Sequence, residues 1–209
     1  MISGPYFINL DYRRDRRFQV ETEFSRLGID SAVRVPAIFD KDGLTGCQKS
    51  HLMAINNDPL NVDAIWICED DIQFLVDRSR LDLYIKEFME SDADILCLGG
   101  ASRKNAEYSA NLWRTFDLQT TSSYIVKDKF KDILADFWKV ILDCRVNNKT
   151  SPYKEQYNNL EVNKGDPLAL DQSWKILQQS HVFVTPKTRC IIQRASYSDI
   201  EKQHVSYGV

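Results

Sequence analysis

The sequence predicts a single α/β domain, with a mixed, mostly parallel β-sheet flanked by helices on both faces. Three observations carry this expectation. Short apolar runs alternate with segments of helical period, the pattern of strand–helix–strand units. At 209 residues and 43% hydrophobic, the chain is long enough to bury one substantial core. Charged residues or glycines stand directly after several apolar runs, where open α/β sheets gather their ligands.

Taken in order, residues 6–10 read as a first strand that stops at Asp11. A helix follows with Val20, Phe24 and Leu27 at i, i+4 and i+7, and Gly28 as its C-terminal cap. Residues 32–38 form the second strand, and 43–57 open with glycines and continue as a helix. An apolar run over 64–68 makes the next strand, followed by a helix with Leu81, Tyr84, Ile85 and Phe88 on one face. Residues 95–98 are a short strand ending at Gly99-Gly100, and 122–126 are another. An amphipathic helix then buries Phe130, Ile133, Leu134, Phe137 and Ile141. Residues 145–165 are polar and read as a long loop. Asp166 as N-cap and Pro167 at the first position start a helix burying Leu170, Trp174 and Leu177. Residues 181–185 are a late strand, and the tail from Cys190 is short and polar.

Composition narrows the function classes. A net charge of −3 and the lack of a long basic tail argue against a nucleic-acid binder. The five cysteines are scattered and never form C-x-x-C, as expected of reduced thiols in a soluble cytoplasmic protein. No stretch approaches the ~18–20 apolar residues that span a bilayer. The chain has no G-x-x-x-x-G-K-[ST], no G-x-G-x-x-G after the first strand and no G-x-S-x-G. Ser50 and His51 are adjacent, so on a helix their side chains diverge and cannot act as a nucleophile–base pair.

The segment with most chemical content is 64–71, where five apolar residues run straight into Glu69-Asp70-Asp71. Three consecutive carboxylates at the end of a core strand repel one another and resist desolvation. A hard divalent cation is the usual compensation; a solvated acidic turn is the plain alternative. Arg13, Arg14, Arg16 and Arg17 follow the first strand, interleaved with Asp15. Arginine at a helix start opposes the helix dipole. That points Arg14 and Arg17 toward an anion such as phosphate, against the default of a solvated first turn.

Several segments together resemble a known family. Residues 7–11 followed by Arg13–Arg17 are similar to the INLxxRxDRR opening of the lipopolysaccharide-type glycosyltransferases, family 25. Gly43, Gly46, Cys47, Ser50 and His51 resemble its GxxGCxxSH, and Glu69-Asp70-Asp71 its EDD form of the DxD motif. Residues 121–126 resemble its T-x-a-Y-i strand, Asp171-x-x-Trp174 its downstream acidic helix, and Gln193 with Ser198-Asp199-Ile200 its Q…SDI ending. The chain is short for the family, and residues 145–165 match none of its segments. Small soluble members of bacterial or large-DNA-virus type are the nearest in kind.

The resemblance implies a GT-A fold over residues 1–209, with the nucleotide-sugar part about 1–100 and the acceptor and catalytic part about 101–209. It implies transfer of a sugar from a nucleoside-diphosphate donor, UDP first among them, to a hydroxyl of a glycan or glycoprotein. Mn2+ or Mg2+ would be the cofactor, with Asp71 as direct ligand and His204 completing the shell. Asn9, Leu10, Asp11, Arg14, Arg17, Ser50, His51, Glu69 and Asp70 would form the donor site. Gly99, Gly100, Thr121 and Ser122 would face the acceptor, and Asp171 would be the base of an inverting reaction. A retaining transferase, a nucleotide-sugar hydrolase and a silent carbohydrate-binding module are the alternatives.

Overall fold

A computed structural model describes residues 1–56, 62–200 and 202–206; Asn57, the expected end of the second helix, lies outside them. Strand β1 (Ile2–Asn9) leads into helix α1 (Arg14–Arg26), strand β2 (Val33–Pro36) and helix α2 (Gly43–Asn56). Strand β3 (Ala64–Glu69) turns at once into β4 (Ile72–Phe74), before helix α3 (Arg78–Met89) and strand β5 (Ile95–Cys97). Strands β6 (Asn105–Glu107), β7 (Leu112–Thr115) and β8 (Ser123–Lys127) precede the long helix α4 (Asp128–Val146). Three short helices, α5 (Lys154–Asn158), α6 (Leu170–Ser173) and α7 (Leu177–Ser180), lead to β9 (Phe183–Pro186) and β10 (Ile191–Gln193). A hairpin of β11 (Ser196–Ser198) and β12 (Gln203–Val205) follows.

The expected fold class is observed. One sheet of eight strands has the order β2-β1-β3-β8-β5-β9-β7-β6. Strands β8 and β7 run against the rest. Side chains alternate across it with the strand period of two. Tyr6, Ile8, Ile65, Ile67, Tyr124 and Val126 enter one core with Leu52, Ile55, Leu134, Trp138 and Trp174. Phe7, Trp66, Cys68, Leu96 and Ile125 enter the other with Val20, Phe24, Leu81, Tyr84 and Phe88. Helices α2, α4 and α6 therefore cover one face, and α1 and α3 the other. Because β8 lies antiparallel beside β3, pairing Ser123 with Cys68, the start of β8 reaches the end of β3 where the carboxylates stand.

Several sequence expectations are corrected. Residues 145–165 are not all loop: α5 forms a short helix there, and Tyr157 from it is buried. The helix expected from Asp166 begins only at Leu170 and breaks between α6 and α7. Asp166 instead accepts the Leu168 amide in a local turn at 2.9 Å and pairs with Arg145. Ile133 stands off the α4 stripe at 46% exposure. The tail from Cys190 is structured: β10 pairs with β4, Cys190 is buried, and β11–β12 closes over the end of the sheet.

Candidate functional site

The β3–β4 turn fixes the three carboxylates. The Glu69 amide donates to the Ser122 carbonyl at 2.8 Å, and the Arg194 amide donates to the Asp71 carbonyl at 2.6 Å. Asp70 is turned toward the protein, where it accepts from Asn9 Nδ2 at 2.7 Å and from Arg16 at 3.0 Å. Arg16 also meets Asp71 Oδ2 at 3.3 Å. Glu69 accepts from Thr121 Oγ1 at 2.9 Å and lies 3.5 Å from His51 Nε2. The one positive charge of Arg16 against three carboxylates leaves the turn short of positive charge.

The consequences appear in the carboxyl groups. Burial and the adjacent Glu69 carboxylate push Asp71 up to about 7, and Arg16 counters this only in part. Burial also raises Asp70 against the pull of Arg16 and Asn9. Burial opposes the Glu69 charge as well, but His51, Thr121 and Arg16 together hold that carboxyl below its usual range. Asp71 Oδ1 is buried and, among the described residues, makes no well-formed hydrogen bond, with Gln193 a neighbouring side chain that favours the charged carboxyl. An under-satisfied buried carboxylate oxygen beside an anionic neighbour is what a hard cation satisfies, so the donor set fits Mn2+ or Mg2+.

A cavity of about 150 Å³ opens at this turn. Glu69, Asp70, Asp71, Arg16, Cys47, Ser50, His51 and Gln193 line its inner part. Its outer part is mixed: Tyr12, Ile38, Phe39 and Ile200 line it while standing 36–65% exposed, beside the charged Asp40, Asp199 and Lys202, and the Tyr12 and Phe39 rings meet edge-on with centroids 6.4 Å apart. Ser50 shapes the wall by accepting the Ile38 amide at 2.8 Å and donating to the Gly46 carbonyl at 2.7 Å. Leu10 lines the cavity as well. Asp11 is exposed beyond the lining and pairs with Arg34 at 2.6 Å; Arg34 also donates to Asn9 Oδ1 at 2.9 Å.

The arginine run divides differently from the expectation. Arg14 and Arg17 are exposed and do not line the cavity, and Arg17 pairs with Glu21 on its own helix. Arg13 and Arg16, three residues apart on the inner side, face inward. Arg13 joins Asp15, Asp199 and the Tyr197 carbonyl; Arg16 reaches Ser196 Oγ at 2.7 Å and the Tyr197 carbonyl at 2.9 Å. The helical phase already carried this signal, since Arg16 is four residues before the buried Val20 and eight before Phe24.

Asp171 stands at the start of α6 and does not line the cavity directly. Its Oδ2 accepts the Thr120 amide at 3.2 Å, and burial raises its carboxyl above the usual range. Thr120 has φ 77°, a strained value for a β-branched residue, and its hydroxyl donates to Gln193 Oε1 at 3.0 Å. Thr120 and Gln193 therefore connect Asp171 to the cavity wall. Sequence reasoning missed Thr120, because backbone strain leaves no mark in composition or period.

Thr121 and Ser122, expected toward an acceptor, hold Glu69 by side chain and carbonyl. Gly99 and Gly100 make that approach possible. A Cβ on Gly99 would lie 2.3 Å from Ser122 Oγ, and Gly100 has φ 112° with its position pressed against the Gln119 carbonyl. None of the four lines the cavity. His204, expected at the metal, is exposed on β12, where its ring meets Tyr197 at 5.7 Å, and is also outside the lining.

No protein-family model matches the chain, and no curated protein sequence matches it. Solved structures similar to it include A197 from STIV, at 10% identity over 97% of this chain and 93% of that one, with a TM-score of 0.47. A glycosyltransferase involved in glycosylation of the major capsid of PBCV-1 is similar at 11% identity over 96% of both chains, TM-score 0.46. A Drosophila β-1,4-galactosyltransferase 7 variant, solved with manganese, UDP-Gal and xylobiose, is similar at 10% identity over 97% of this chain and 68% of that one, TM-score 0.42. Among the described residues no helix is long and apolar enough to cross a membrane.

Proposed function

We propose that this chain is a metal-assisted glycosyltransferase that moves a sugar from a nucleoside-diphosphate donor to a hydroxyl of a glycan or glycoprotein. The observation that carries the reading is the buried Asp71 Oδ1, without a well-formed hydrogen bond among the described residues, beside Glu69 at the floor of a cavity whose outer part carries the Tyr12 and Phe39 rings. The motif resemblance along the chain supports the same reading. Residues up to about 100 supply most of the donor side, joined there by Gln193 and Ile200 from the end of the chain, and the acceptor side is drawn from residues beyond 100.

In this reading Glu69 and Asp71 hold Mn2+ or Mg2+, and His204 takes no part. The ion supplies positive charge to a leaving diphosphate. Asp70, fixed by Asn9 and Arg16, sets the geometry of the turn and does not act as a ligand. Arg16 keeps the carboxylates from forcing the turn apart, with both terminal nitrogens already engaged by Asp70, Asp71, Ser196 and the Tyr197 carbonyl. Tyr12, Ile38 and Phe39 give the nucleobase an apolar surface and ring faces to stack on. The acceptor oxygen attacks the anomeric carbon, the bond to the diphosphate oxygen breaks with its electron pair, and Asp171 takes the acceptor's proton. Burial suits Asp171 to that work, since it raises the basicity of the carboxylate toward neutral pH.

The test is transfer itself. The chain is incubated with a panel of nucleotide sugars and glycan acceptors, with Mn2+ or with chelator, and product mass and anomeric configuration are read. Metal-dependent formation of an inverted glycoside supports the proposal. Retained configuration identifies the retaining alternative, and donor breakdown that no acceptor redirects identifies a hydrolase. Nucleotide binding that is indifferent to metal leaves the silent binding module.

A further inference from the structure

Cys47 has no role in the proposed transfer, yet it lies in the same cavity as the carboxylates. It stands four residues before His51 on α2, so the two side chains share one helix face. Across from them is Glu69 at the end of β3. One ligand atom from each of Cys47, His51 and Glu69 lies within 4.8 Å of the other two.

We propose that Cys47, His51 and Glu69 form a site for a thiophilic divalent cation of the zinc class, separate in chemistry from the hard cation at Asp71. The donor set of sulfur, imidazole nitrogen and one carboxylate oxygen matches the preference of zinc and not that of magnesium or manganese. Tetrahedral zinc bonds of ordinary length set ligand atoms about 3.4–3.6 Å apart. His51 Nε2 and Glu69 Oε1 already stand 3.5 Å apart, and the Cys47 sulfur lies within 4.8 Å of a ligand atom of each. Each of the three residues also lines the cavity, which leaves a fourth position open to water or a ligand.

The support behind His51 is already built. Its Nδ1 lies 3.0 Å from the Tyr124 hydroxyl, and the two rings stack with centroids 5.8 Å apart. In the tautomer with the proton on Nδ1, that nitrogen donates to Tyr124 and the Nε2 lone pair faces Glu69. Holding the far ring nitrogen in this way is how proteins orient a metal-binding histidine. Without the cation, Nε2 instead carries a proton toward Glu69. Binding therefore shifts the neutral imidazole to its Nδ1–H tautomer, solvent taking the Nε2 proton and supplying the one on Nδ1, so the one proton released overall is that of the Cys47 thiol.

The anionic surroundings decide between a cation and a covalent role for this thiol. Reactive cysteines sit among positive charges that favour the thiolate. Burial first, and then the charges of Glu69, Asp171 and Asp71, hold the Cys47 thiol well above its usual range, so it is a poor nucleophile, and its anionic neighbours favour a positive ion. Because Glu69 belongs to both sets, zinc at Cys47 would compete with the hard ion at Asp71. The zinc site itself does not rest on the sugar-transfer reading and stands if that reading fails.

The experiment is a cobalt titration of the chelator-treated, reduced chain. The expected result is one cobalt per chain with a thiolate-to-cobalt charge-transfer band in the near ultraviolet, erased by stoichiometric zinc. Cys47→Ser should abolish the band and weaken zinc binding more than about tenfold, since even losing a supporting partner of a ligand costs 10- to 100-fold. A wild-type spectrum without the charge-transfer band, or a Cys47→Ser chain that binds zinc as tightly as its parent, overturns the proposal. A second arm needs no variant: zinc, but not magnesium, should slow alkylation at Cys47, located by peptide mass spectrometry. Equal alkylation with and without zinc overturns it as well.

Discussion

Replacing Asp71 by Asn removes the charge that the folded chain tolerates least. The Asp71 carboxyl moves from 3.8 to about 7 on folding, a rise of about three units. At ~1.4 kcal/mol per unit, ionising it in the metal-free fold costs up to about 4 kcal/mol. Part of this belongs to the Glu69–Asp71 pair, which shares the repulsion, so Asp71→Asn should stabilise the metal-free chain by about 2–4 kcal/mol at pH 8. For a chain of this size that is roughly 5–12 °C in Tm. The sign follows from proton counting. Between the unfolded pKa near 3.8 and the folded value near 7 the native state binds more protons than the unfolded one, so the parent loses stability as pH rises through that window. The variant should lack this slope, and the two should converge near pH 4. The assay is urea or thermal unfolding in chelator at pH 4 and pH 8, with the same scans in Mn2+ plus nucleoside diphosphate. Mn2+ with the nucleotide should stabilise the parent and not the variant. A variant less stable than its parent at pH 8 in chelator would refute the reasoning, as would one that keeps the full metal-dependent stabilisation.

Arg16→Met should destabilise the metal-free chain by about 3–5 kcal/mol, because it strands buried carboxylates, whereas Arg14→Ala or Arg17→Ala should stay within about 0.5–1 kcal/mol; chemical denaturation of the three variants decides this. Asp171→Asn should lower turnover about 100- to 10,000-fold while donor affinity holds, read by steady-state kinetics beside equilibrium binding. In the parent, activity should fall as pH drops through an apparent pKa above the ordinary aspartate range, since burial raises Asp171. Removing both Tyr12 and Phe39 rings as alanines should weaken nucleotide binding by about 1–3 kcal/mol and leave the binding of inorganic diphosphate unchanged, measured by calorimetry.

Six strands of the sheet, β1, β2, β3, β5, β8 and β9, were legible because their apolar runs are bounded by turn residues and alternate with helical periods. The strands β4, β6, β7, β10, β11 and β12 were not, since three or four residues without a continuous apolar run carry too little period to detect. The carboxylate triplet was legible as a compensation problem, yet its division of labour was not. That Asp70 turns inward to Asn9 and Arg16 depends on β1 and α1 lying beside β3, which is a matter of strand order. The arginine run was read by the dipole rule, where helix phase was the better guide and selects Arg16. The family resemblance points Thr121 and Ser122 at an acceptor, but antiparallel β8 delivers them to Glu69. Asp171 was singled out by motif, and only the fold reveals that Thr120 and Gln193 link it to the cavity.

The central claim is that Glu69 and Asp71 form, with a hard divalent ion, the anchor for a nucleoside diphosphate. Calorimetric titration of UDP into the parent chain, once in Mn2+ and once in chelator, tests it most directly, because it asks for binding alone and needs neither the sugar nor the acceptor. The account predicts saturable one-site binding in Mn2+ that is lost or weakened at least tenfold in chelator. UDP binding of equal strength in both solutions would contradict it.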